Sequence, residues 1–350
     1  MRPRSWALTA ILASLVTVAS WLVAAAPALT AAPILLRFGH YQPRGPAVEG
    51  EGRLADLINQ RSGGRLKIDV GWAEAFGKTR ELPSLLRAGA IDMASVAPHF
   101  DPDPFPFWRL VVMPTPVTGP SEVMMEKQAR IGRVMLTDPA FEKELAEKFN
   151  ARPLLLQMLA PYYLLSKTPG CSLEALKGKK VRTLGADHPK MVAAAGGTPV
   201  SMPTPELYEA LLRGTVDYLS IPTTHMVTLK LHEAGKYACG PYFMFAMGHV
   251  TAIALDTWKR IPPDLQKVVL DTAAEVQDWY LEHLKRTEAT DKQKLQALKM
   301  EFTTFPAAQM AEWTKKTPEF LQIWLTDMKT KGYGADAERV AGTIKKILGR

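Results

Sequence analysis

The sequence predicts an α/β protein of two lobes, because two separate regions show short β-prone runs alternating with helical segments. In residues 176–222 the β-prone runs are Lys179–Leu184, Pro199–Met202 and Val216–Ile221. Strands that alternate with short helices are typical of parallel β-α-β crossovers. Ligands of such sheets bind outside the carboxyl ends of the strands, near helix N-termini that favour anions.

Residues that start and stop helices separate these runs. Asp187 stands where it would cap a helix that ends at Gly196, and Thr204 stands where it would cap a second helix that ends at Gly214. This arrangement places Arg182 inside the first strand of the region. An arginine on such a sheet is rarely buried without an anionic partner.

A second set of the same order opens the chain after residue 33. Its predicted strands are Ile34–His40, Leu66–Trp72 and Ile91–Ala94, with helices around Ala47–Arg61 and Glu81–Ala88. About 320 residues follow position 28, which is enough for two lobes that each have a core.

Two apolar stretches are predicted to connect the lobes as hinge strands. Pro153–Ser166 runs toward the second lobe and Tyr237–Leu255 runs back. Two crossings make a hinge beside a cleft, and such a cleft is where small ligands usually bind. We therefore predict lobe 1 at residues 33–159 with about 248–287, and lobe 2 at residues 160–247 with about 288–350.

The segment Asp264–Met300 predicts one long helix. It contains neither Gly nor Pro, and its apolar residues fall at i, i+3 and i+4 spacing over the first half. At about 1.5 Å per residue the helix would be about 55 Å long, which exceeds one small lobe. A coiled coil is disfavoured, because the apolar pattern thins after Leu284 instead of continuing in heptads.

The N-terminus predicts an export signal. Arg2 and Arg4 precede an apolar run over Trp6–Ala26, and the small residues around Ala28 fit a cleavage site. We expect a signal peptide at residues 1–28 and a mature protein outside the cytoplasmic membrane. An uncleaved membrane anchor is the alternative, since the apolar run approaches spanning length.

The charge pattern favours small anions over nucleic acid as partners. Removing Arg2 and Arg4 with the signal lowers the net charge from +8 to +6. The basic clusters are separate and carry few aromatic residues, which is typical of solvated surface. A mild positive excess also attracts anionic ligands.

Enzyme and metal chemistry find little support in the sequence. The motifs G-x-S-x-G, G-x-x-x-x-G-K-[ST] and H-E-x-x-H are absent. His225 and His232 lie two helical turns apart, but no carboxylate cluster accompanies them, so we predict no metal and no cofactor. Cys171 and Cys239 lack zinc-ligand spacing; an exported chain permits them to form a disulfide, and the sequence leaves the pairing open.

Four motifs in order carry a resemblance to a known family. They are Lys180-Val181-Arg182, the run Gly197–Pro203 (GTPVSMP), the helix Glu206–Leu211 (ELYEAL) and the turn Gly214–Asp217 (GTVD). Together they resemble the DctP-like substrate-binding proteins of tripartite ATP-independent periplasmic (TRAP) transporters. The first region is also similar to that family in FGH, SGGRLKI and AGAIDMA, so the resemblance spans most of Leu35–Leu298.

The resemblance implies a periplasmic-binding-protein fold, with the long helix spanning both lobes. It also implies a receptor that binds an organic acid anion in the cleft and delivers it to integral-membrane TRAP permease subunits. Arg182 would form a bidentate salt bridge with the ligand carboxylate; the alternative is an internal salt bridge. We expect a monomer that is not an enzyme and binds no nucleic acid. A receptor or sensor partner of another system, or a periplasmic enzyme acting on organic acids, is the alternative function.

Two positions depart from the family pattern. Tyr162 stands where many members have a second arginine, and Ile221 stands where many have an asparagine. Such a pocket would suit a monocarboxylate with an apolar or aromatic body, although Ile221 is equally consistent with core packing.

Five further residues are candidate contacts of the ligand. His40, Tyr41, Trp72 and His99 follow strands of the first lobe and should face the cleft, while Tyr208 lies on the helix after Pro205. Loop packing is the alternative for the aromatic residues near strand ends, and a structural role is the alternative for Tyr208.

Overall fold

Two mixed sheets and the helices around them make up the described structure, so the predicted α/β class is confirmed. The structure is a computed structural model that describes residues 32–116 and 119–349, with the backbone alone described for residues 244–246. The predicted signal peptide, residues 1–28, lies outside the described residues.

Ten of the described strands lie within a few residues of the predicted runs, whereas β4 and β12 were not predicted. They are β1 (Ile34–Gly39), β2 (Leu66–Gly71), β3 (Met93–Val96), β4 (Val112–Pro116), β5 (Ala151–Leu156), β6 (Tyr162–Ser166), β7 (Lys180–Thr183), β8 (Thr198–Ser201), β9 (Tyr218–Pro222), β10 (Tyr237–Ala246), β11 (Val250–Ala254) and β12 (Glu301–Thr303).

The described helices lie between and around these strands. They are α1 (Glu49–Arg61), α2 (Leu82–Arg87), α3 (Ser121–Thr137), α4 (Pro139–Phe149), α5 (Leu173–Leu176), α6 (His188–Ala194), α7 (Leu207–Leu212), α8 (Thr223–Thr228), α9 (Leu255–Arg260), α10 (Pro263–Ala297), α11 (Ala307–Lys316), α12 (Phe320–Thr330) and α13 (Gly334–Leu348).

Each sheet has three parallel strands of the kind that β-α-β units produce, and they form one end of its strand order. In the first sheet, of order β2-β1-β3-β11-β5, strand β1 is parallel to β2 and β3, and β11 is antiparallel to both of its neighbours. In the second sheet, of order β12-β10-β6-β9-β7-β8, strand β7 is parallel to β8 and β9.

The two predicted crossings between the sheets are present. The chain passes from β5 in the first sheet to β6 in the second, and it returns from β10 to β11. Backbone hydrogen bonds tie the two connections together: Gln157 N–H donates to His249 O at 2.9 Å, and Gly248 N–H donates to Gln157 O at 3.1 Å. A third link, the antiparallel pairing of β4 with β10, was not predicted.

Helix α10 spans both cores, as the resemblance implies. Val276 and Tyr280 belong to the larger core around the first sheet, whereas Leu295 belongs to the core of the second. The helix packs closely on α1 at Gly50. A side chain at that position would clash, since its Cβ would lie 2.1 Å from the Tyr280 ring. Within the described chain no helix has the length and apolar character needed to cross a membrane.

The C-terminal helices contact both sides of the molecule. Trp313 on α11 donates its indole N–H to Met191 O at 2.7 Å, and Trp324 on α12 donates to Pro106 O at 2.8 Å. Helix α13 packs against α3. The predicted assignment of residues 288–350 to lobe 2, like the other predicted domain bounds, stays a prediction.

The predicted side-chain cap at Asp187 is wrong. Helix α6 has no side-chain cap, because the Asp187 carboxylate accepts a hydrogen bond from Lys190 Nζ at 2.8 Å instead. Thr204 likewise makes no cap hydrogen bond, and a short 3₁₀ turn over Thr204–Glu206 leads into α7.

Cys171 and Cys239 form a disulfide bond, with their Cα atoms 5.3 Å apart. The bond joins the segment before α5 to strand β10 across 68 positions of sequence. Cross-links stabilise the folded state mainly by restricting the unfolded chain.

Replacing both cysteines with alanine should lower the free energy of unfolding by about 2–4 kcal/mol. Ligand affinity should not change, because neither cysteine lines the cavity described below. Urea unfolding of the double variant and the oxidised wild type measures the difference. A loss below about 1 kcal/mol would show that the bond adds little.

Candidate functional site

A cavity with about 240 Å³ of space between its walls, part of it open to solvent, lies between the two sheets. Most of its walls come from segments near the carboxyl ends of strands, the place where open α/β sheets bind ligands. Tyr162, at the start of β6, and Gly248, before β11, are exceptions at amino ends. Tyr41, Gln42, His99, Gln157, Leu159 and Gly248 line it from the first sheet and the connections, and Tyr162, Arg182, Leu184, Thr204, Ile221 and His225 line it from the second sheet.

Arg182 is the fixed positive charge of the cavity, and only 1% of its surface is exposed. It lies on β7 between β8 and β9, and its guanidinium bridges the carboxyl ends of both neighbours. Nη1 donates to Ser220 O at 3.0 Å and Nε donates to Met202 O at 3.4 Å. The sheet therefore holds the side chain in one orientation.

Arg182 makes no salt bridge with a carboxylate of the described chain. Burial lowers the pKa of the Arg182 guanidinium, and the nearby Tyr162, Tyr41 and Tyr242 raise it by smaller amounts. The alternative of an internal ion pair thus has no partner in residues 32–116 and 119–349. A buried charge without a counter-charge is costly, so an anionic ligand would relieve that cost.

The titratable groups around Arg182 are uncharged at neutral pH. Burial raises the pKa of Tyr162 to about 12 and also raises the pKa of Tyr41. Burial, followed by the nearby Arg182 charge, lowers the pKa of His99 well below its usual value and that of His225 to about 3. Because the histidines stay neutral, the cavity offers one full positive charge.

Several polar atoms in the cavity wall have no hydrogen-bond partner among the described protein atoms. They are Gln42 Oε1, His99 Nδ1, Gln157 Oε1 and His225 Nδ1. The amide nitrogens of the two glutamines are occupied, since Gln42 donates to Tyr41 Oη at 3.0 Å and Gln157 donates to Ala47 O at 2.6 Å. Buried polar atoms are usually satisfied, so these are available to a ligand or to ordered water.

A hydrogen-bonded chain behind Arg182 positions its carbonyl partner. Tyr242 donates its hydroxyl to Ser220 Oγ at 2.5 Å, and His188 Nε2 lies 2.8 Å from the same hydroxyl. His188 Nδ1 accepts from Leu184 N–H at 3.3 Å. The chain connects β7, β9 and β10, so it fixes the strand ends that hold the guanidinium.

Hydrogen bonds near the cavity join the two sides. Gly185 N–H donates to His99 O at 3.0 Å, and Ala47 N–H donates to Thr228 Oγ1 at 3.2 Å. Gly185 has φ +70°, and a Cβ there would lie 3.1 Å from Val112. A glycine at this position therefore allows the two sides to approach closely.

Five predicted site residues meet in this cavity: Arg182, Tyr162, Ile221, Tyr41 and His99. Tyr208 does not line it. Its hydroxyl donates to Glu233 at 3.2 Å, because Leu207 and Leu211 take the buried face of α7.

The other two candidates lie next to the cavity wall. Trp72 is half-buried and packs on His40 with 4.7 Å between ring centroids, and His40 itself is fully buried. The sequence did not single out Gln42, Gln157 or Gly248. Gln42 follows the two chosen residues His40 and Tyr41, whereas Gln157 and Gly248 belong to the predicted hinge stretches and carry no motif of their own.

Residues 38–326 match the family model DctP, described as bacterial extracellular solute-binding protein, family 7. The chain belongs to this family. The predicted family and the general function of a solute-binding protein are thereby confirmed.

Relatives of known name agree with this family. A solute-binding protein of Albidiferax ferrireducens is 25% identical over 265 residues, covering 72% of this chain and 75% of its own. The C4-dicarboxylate-binding periplasmic protein DctP of Rhodobacter capsulatus is 24% identical, covering 82% and 85%. The crystal structure of a TRAP solute-binding protein from Rhodoferax ferrireducens, in complex with copurified benzoate, is similar with a TM-score of 0.77 and 23% identity, covering 90% and 98%.

Acid should destabilise the folded protein because His99, His188 and His225 are buried in the neutral form. Their folded-state pKa values lie below the unfolded value of about 6.5, so the unfolded state binds more protons as the pH falls below that value. For His225 the loss of stability continues until the pH reaches its folded pKa of about 3. Each such histidine lowers the free energy of unfolding by up to about 1.4 kcal/mol per pH unit.

Urea unfolding of the wild type and of His225→Gln between pH 7 and pH 4.5 checks this expectation. The stability of the wild type relative to the variant should fall by about 2–3 kcal/mol over that range. Parallel curves for the two proteins would mean that His225 is not held neutral.

Proposed function

We propose that this protein is a periplasmic receptor that binds a small monocarboxylate between its two sheets and delivers it to a TRAP-type membrane permease. The observation that carries the proposal is the buried Arg182, which lines the cavity between the sheets and has no carboxylate partner among the described residues. A guanidinium pairs with a carboxylate through two parallel hydrogen bonds, which fix the orientation of the ligand.

The ligand class follows from the count of charges in the cavity wall. Arg182 is the one Lys or Arg in that lining, and His99 and His225 are neutral. A second carboxylate would meet Tyr162, whose hydroxyl is neutral, or the aliphatic Ile221. An unpaired buried carboxylate is heavily penalised, so we expect one carboxylate on an apolar, aromatic or branched body.

The benzoate bound by the similar Rhodoferax structure supports this class of ligand. The stacked pair Tyr162–Phe243, with ring centroids 4.5 Å apart, supplies an aromatic surface next to the guanidinium. Offset and edge contacts of aromatic rings add about 0.5–1.5 kcal/mol beyond the area they bury.

We also propose that the protein binds its ligand without catalysing a reaction. Among the described residues that line the cavity there is no serine or cysteine to act as a nucleophile. We propose that the protein is not an enzyme, works as a monomer without cofactor or nucleic acid, and acts in the periplasm after loss of residues 1–28. The apolar run at Trp6–Ala26 supports export.

Replacing Arg182 should abolish binding while the fold persists. Arg182→Ala should weaken benzoate binding by about 2–5 kcal/mol, at least 30-fold, and Arg182→Lys should restore little of it, since lysine lacks the planar fork. Arg182→Met should keep the free energy of unfolding within about 1 kcal/mol of wild type, because it removes an unpaired buried charge.

Calorimetric titration with benzoate measures these effects, and urea unfolding reports the fold. Lys180→Ala is the matched control, because Lys180 lies on the same strand with its side chain exposed. Near-native affinity in Arg182→Ala would remove Arg182 from the site.

Benzoate or a branched monocarboxylate should bind more tightly than succinate. A second carboxylate finds no second cation in the described cavity wall. Parallel calorimetric titrations of the wild type decide between the two classes. Tighter binding of succinate would favour a C4-dicarboxylate receptor and contradict the proposed ligand class.

A further inference from the structure

A second polar cluster lies beside the ligand cavity, and no sequence motif joins its members. His40, Glu51 and His249 are each fully buried, and one ligand atom from each lies within 4.8 Å of the others. The three residues come from separate segments: the end of β1, the first turn of α1 and the position before β11. The first sheet brings them together, because β1 and β11 both flank β3.

The atoms that face one another in this cluster lack hydrogen bonds. His40 Nε2, Glu51 Oε1 and His249 Nε2 have no hydrogen-bond partner among the described protein atoms. His249 Nε2 and Glu51 Oε1 are 2.9 Å apart, yet they do not satisfy hydrogen-bond geometry. Close approach without alignment is what two ligands of one ion show, since atoms bound at about 2.0–2.2 Å lie roughly 3 Å apart.

The outer atoms of the same three side chains are held in place. Tyr280 Oη donates to Glu51 Oε2 at 3.2 Å, and His249 Nδ1 lies 3.3 Å from Tyr41 Oη. His40 Nδ1 lies 3.1 Å from Gln42 N and 3.3 Å from Gln42 O. In the tautomer that donates from Nδ1 to Gln42 O, His40 Nε2 presents its lone pair to the ion, as metal-binding histidines do when their second ring nitrogen donates to a carbonyl.

The charges in the cluster also call for a cation. Glu51 is fully buried, and within the described chain no lysine or arginine forms a salt bridge with it. An ion pair with a protonated His249 would leave His40 Nε2 unpaired and lacks an aligned N–H group. A divalent ion satisfies all three atoms at once.

We propose that His40, Glu51 and His249 form a binding site for a divalent transition metal, with Zn²⁺ as the expected ion. Two imidazoles and one carboxylate suit Zn²⁺ better than Ca²⁺ or Mg²⁺, which prefer oxygen ligands. Three atoms within 4.8 Å of one another all lie within roughly 2.8 Å of a common point, and small side-chain rotations close the remaining gap to the Zn–N distance of about 2.0–2.1 Å.

The site adjoins the ligand cavity without being part of it. Tyr41 and Gln42 line the cavity and also contact the outer nitrogens of His249 and His40. A bound ion would therefore fix the first-sheet wall of the cavity. The metal site does not depend on the proposed organic acid ligand, so it is tested with the metal alone.

The test uses the tag-free, full mature protein after dialysis against a chelator. Titration with Zn²⁺ should show one ion per chain with a dissociation constant of about 1 μM or below, and Zn²⁺ should raise the thermal unfolding midpoint, since an ion that binds only the folded state stabilises it. Co²⁺ should give visible absorption bands of a four- or five-coordinate site.

Glu51→Gln and His40→Gln should each weaken Zn²⁺ binding at least tenfold and abolish the Co²⁺ bands. His232→Gln is the control, because His232 lies outside the cluster and should leave both signals unchanged. The absence of stoichiometric Zn²⁺ or Co²⁺ binding to the wild type overturns the proposal. So does unchanged binding in a folded Glu51→Gln variant.

Discussion

The structure of the site depends on one buried charge that the described chain does not neutralise. Arg182 is 1% exposed and donates only to backbone carbonyls at the ends of the adjoining strands. Desolvating a guanidinium costs several kcal/mol unless an anion compensates it. A receptor gains from this arrangement, because the charge is already oriented and a carboxylate ligand relieves the cost. The ligand-free protein is less stable because of this charge, and the same charge increases the affinity and the selectivity for an anionic ligand.

The fold supplies what this charge requires. In the parallel group β9-β7-β8 of the second sheet, Arg182 lies between two strands whose carboxyl ends adjoin the cavity. The chain Ser220–Tyr242–His188 holds one of those ends. The hinge connections bring Gln157 and Gly248 to the opposite wall, and α10 joins the two cores behind them. Segments from both sheets and from the connections between them therefore surround the cavity.

Local patterns in the sequence were sufficient for most of the fold, whereas the expected role of Arg182 came mainly from the resemblance to the family. Strand and helix order follow from alternating β-prone and helical runs, and Arg182 stands out as a charge within a strand. The failures concern contacts between distant segments. Tyr208 lies on the helix after Pro205, where a contact with the ligand was expected. Leu207 and Leu211 take the buried face of that helix, so the Tyr208 hydroxyl contacts Glu233 instead.

The pairing of β4 with β10 and the approach of His40, Glu51 and His249 also could not be predicted from sequence. These groups are separated by up to about 200 positions and carry no shared motif. Such contacts are set by the way the sheets and helices pack, because each segment satisfies its own local pattern whatever its distant neighbour is. Gln42 and Gln157 could not be predicted for the same reason, since only the folded chain brings them to one cavity.

A crystal structure of the protein with the tightest-binding carboxylate from a screen of organic acids is the most direct test of the central claim. Both oxygens of one carboxylate should lie about 2.7–2.9 Å from the guanidinium nitrogens of Arg182, as in other bidentate pairs. A bound acid whose carboxylate lies elsewhere, with Arg182 still contacting only backbone carbonyls, would contradict it.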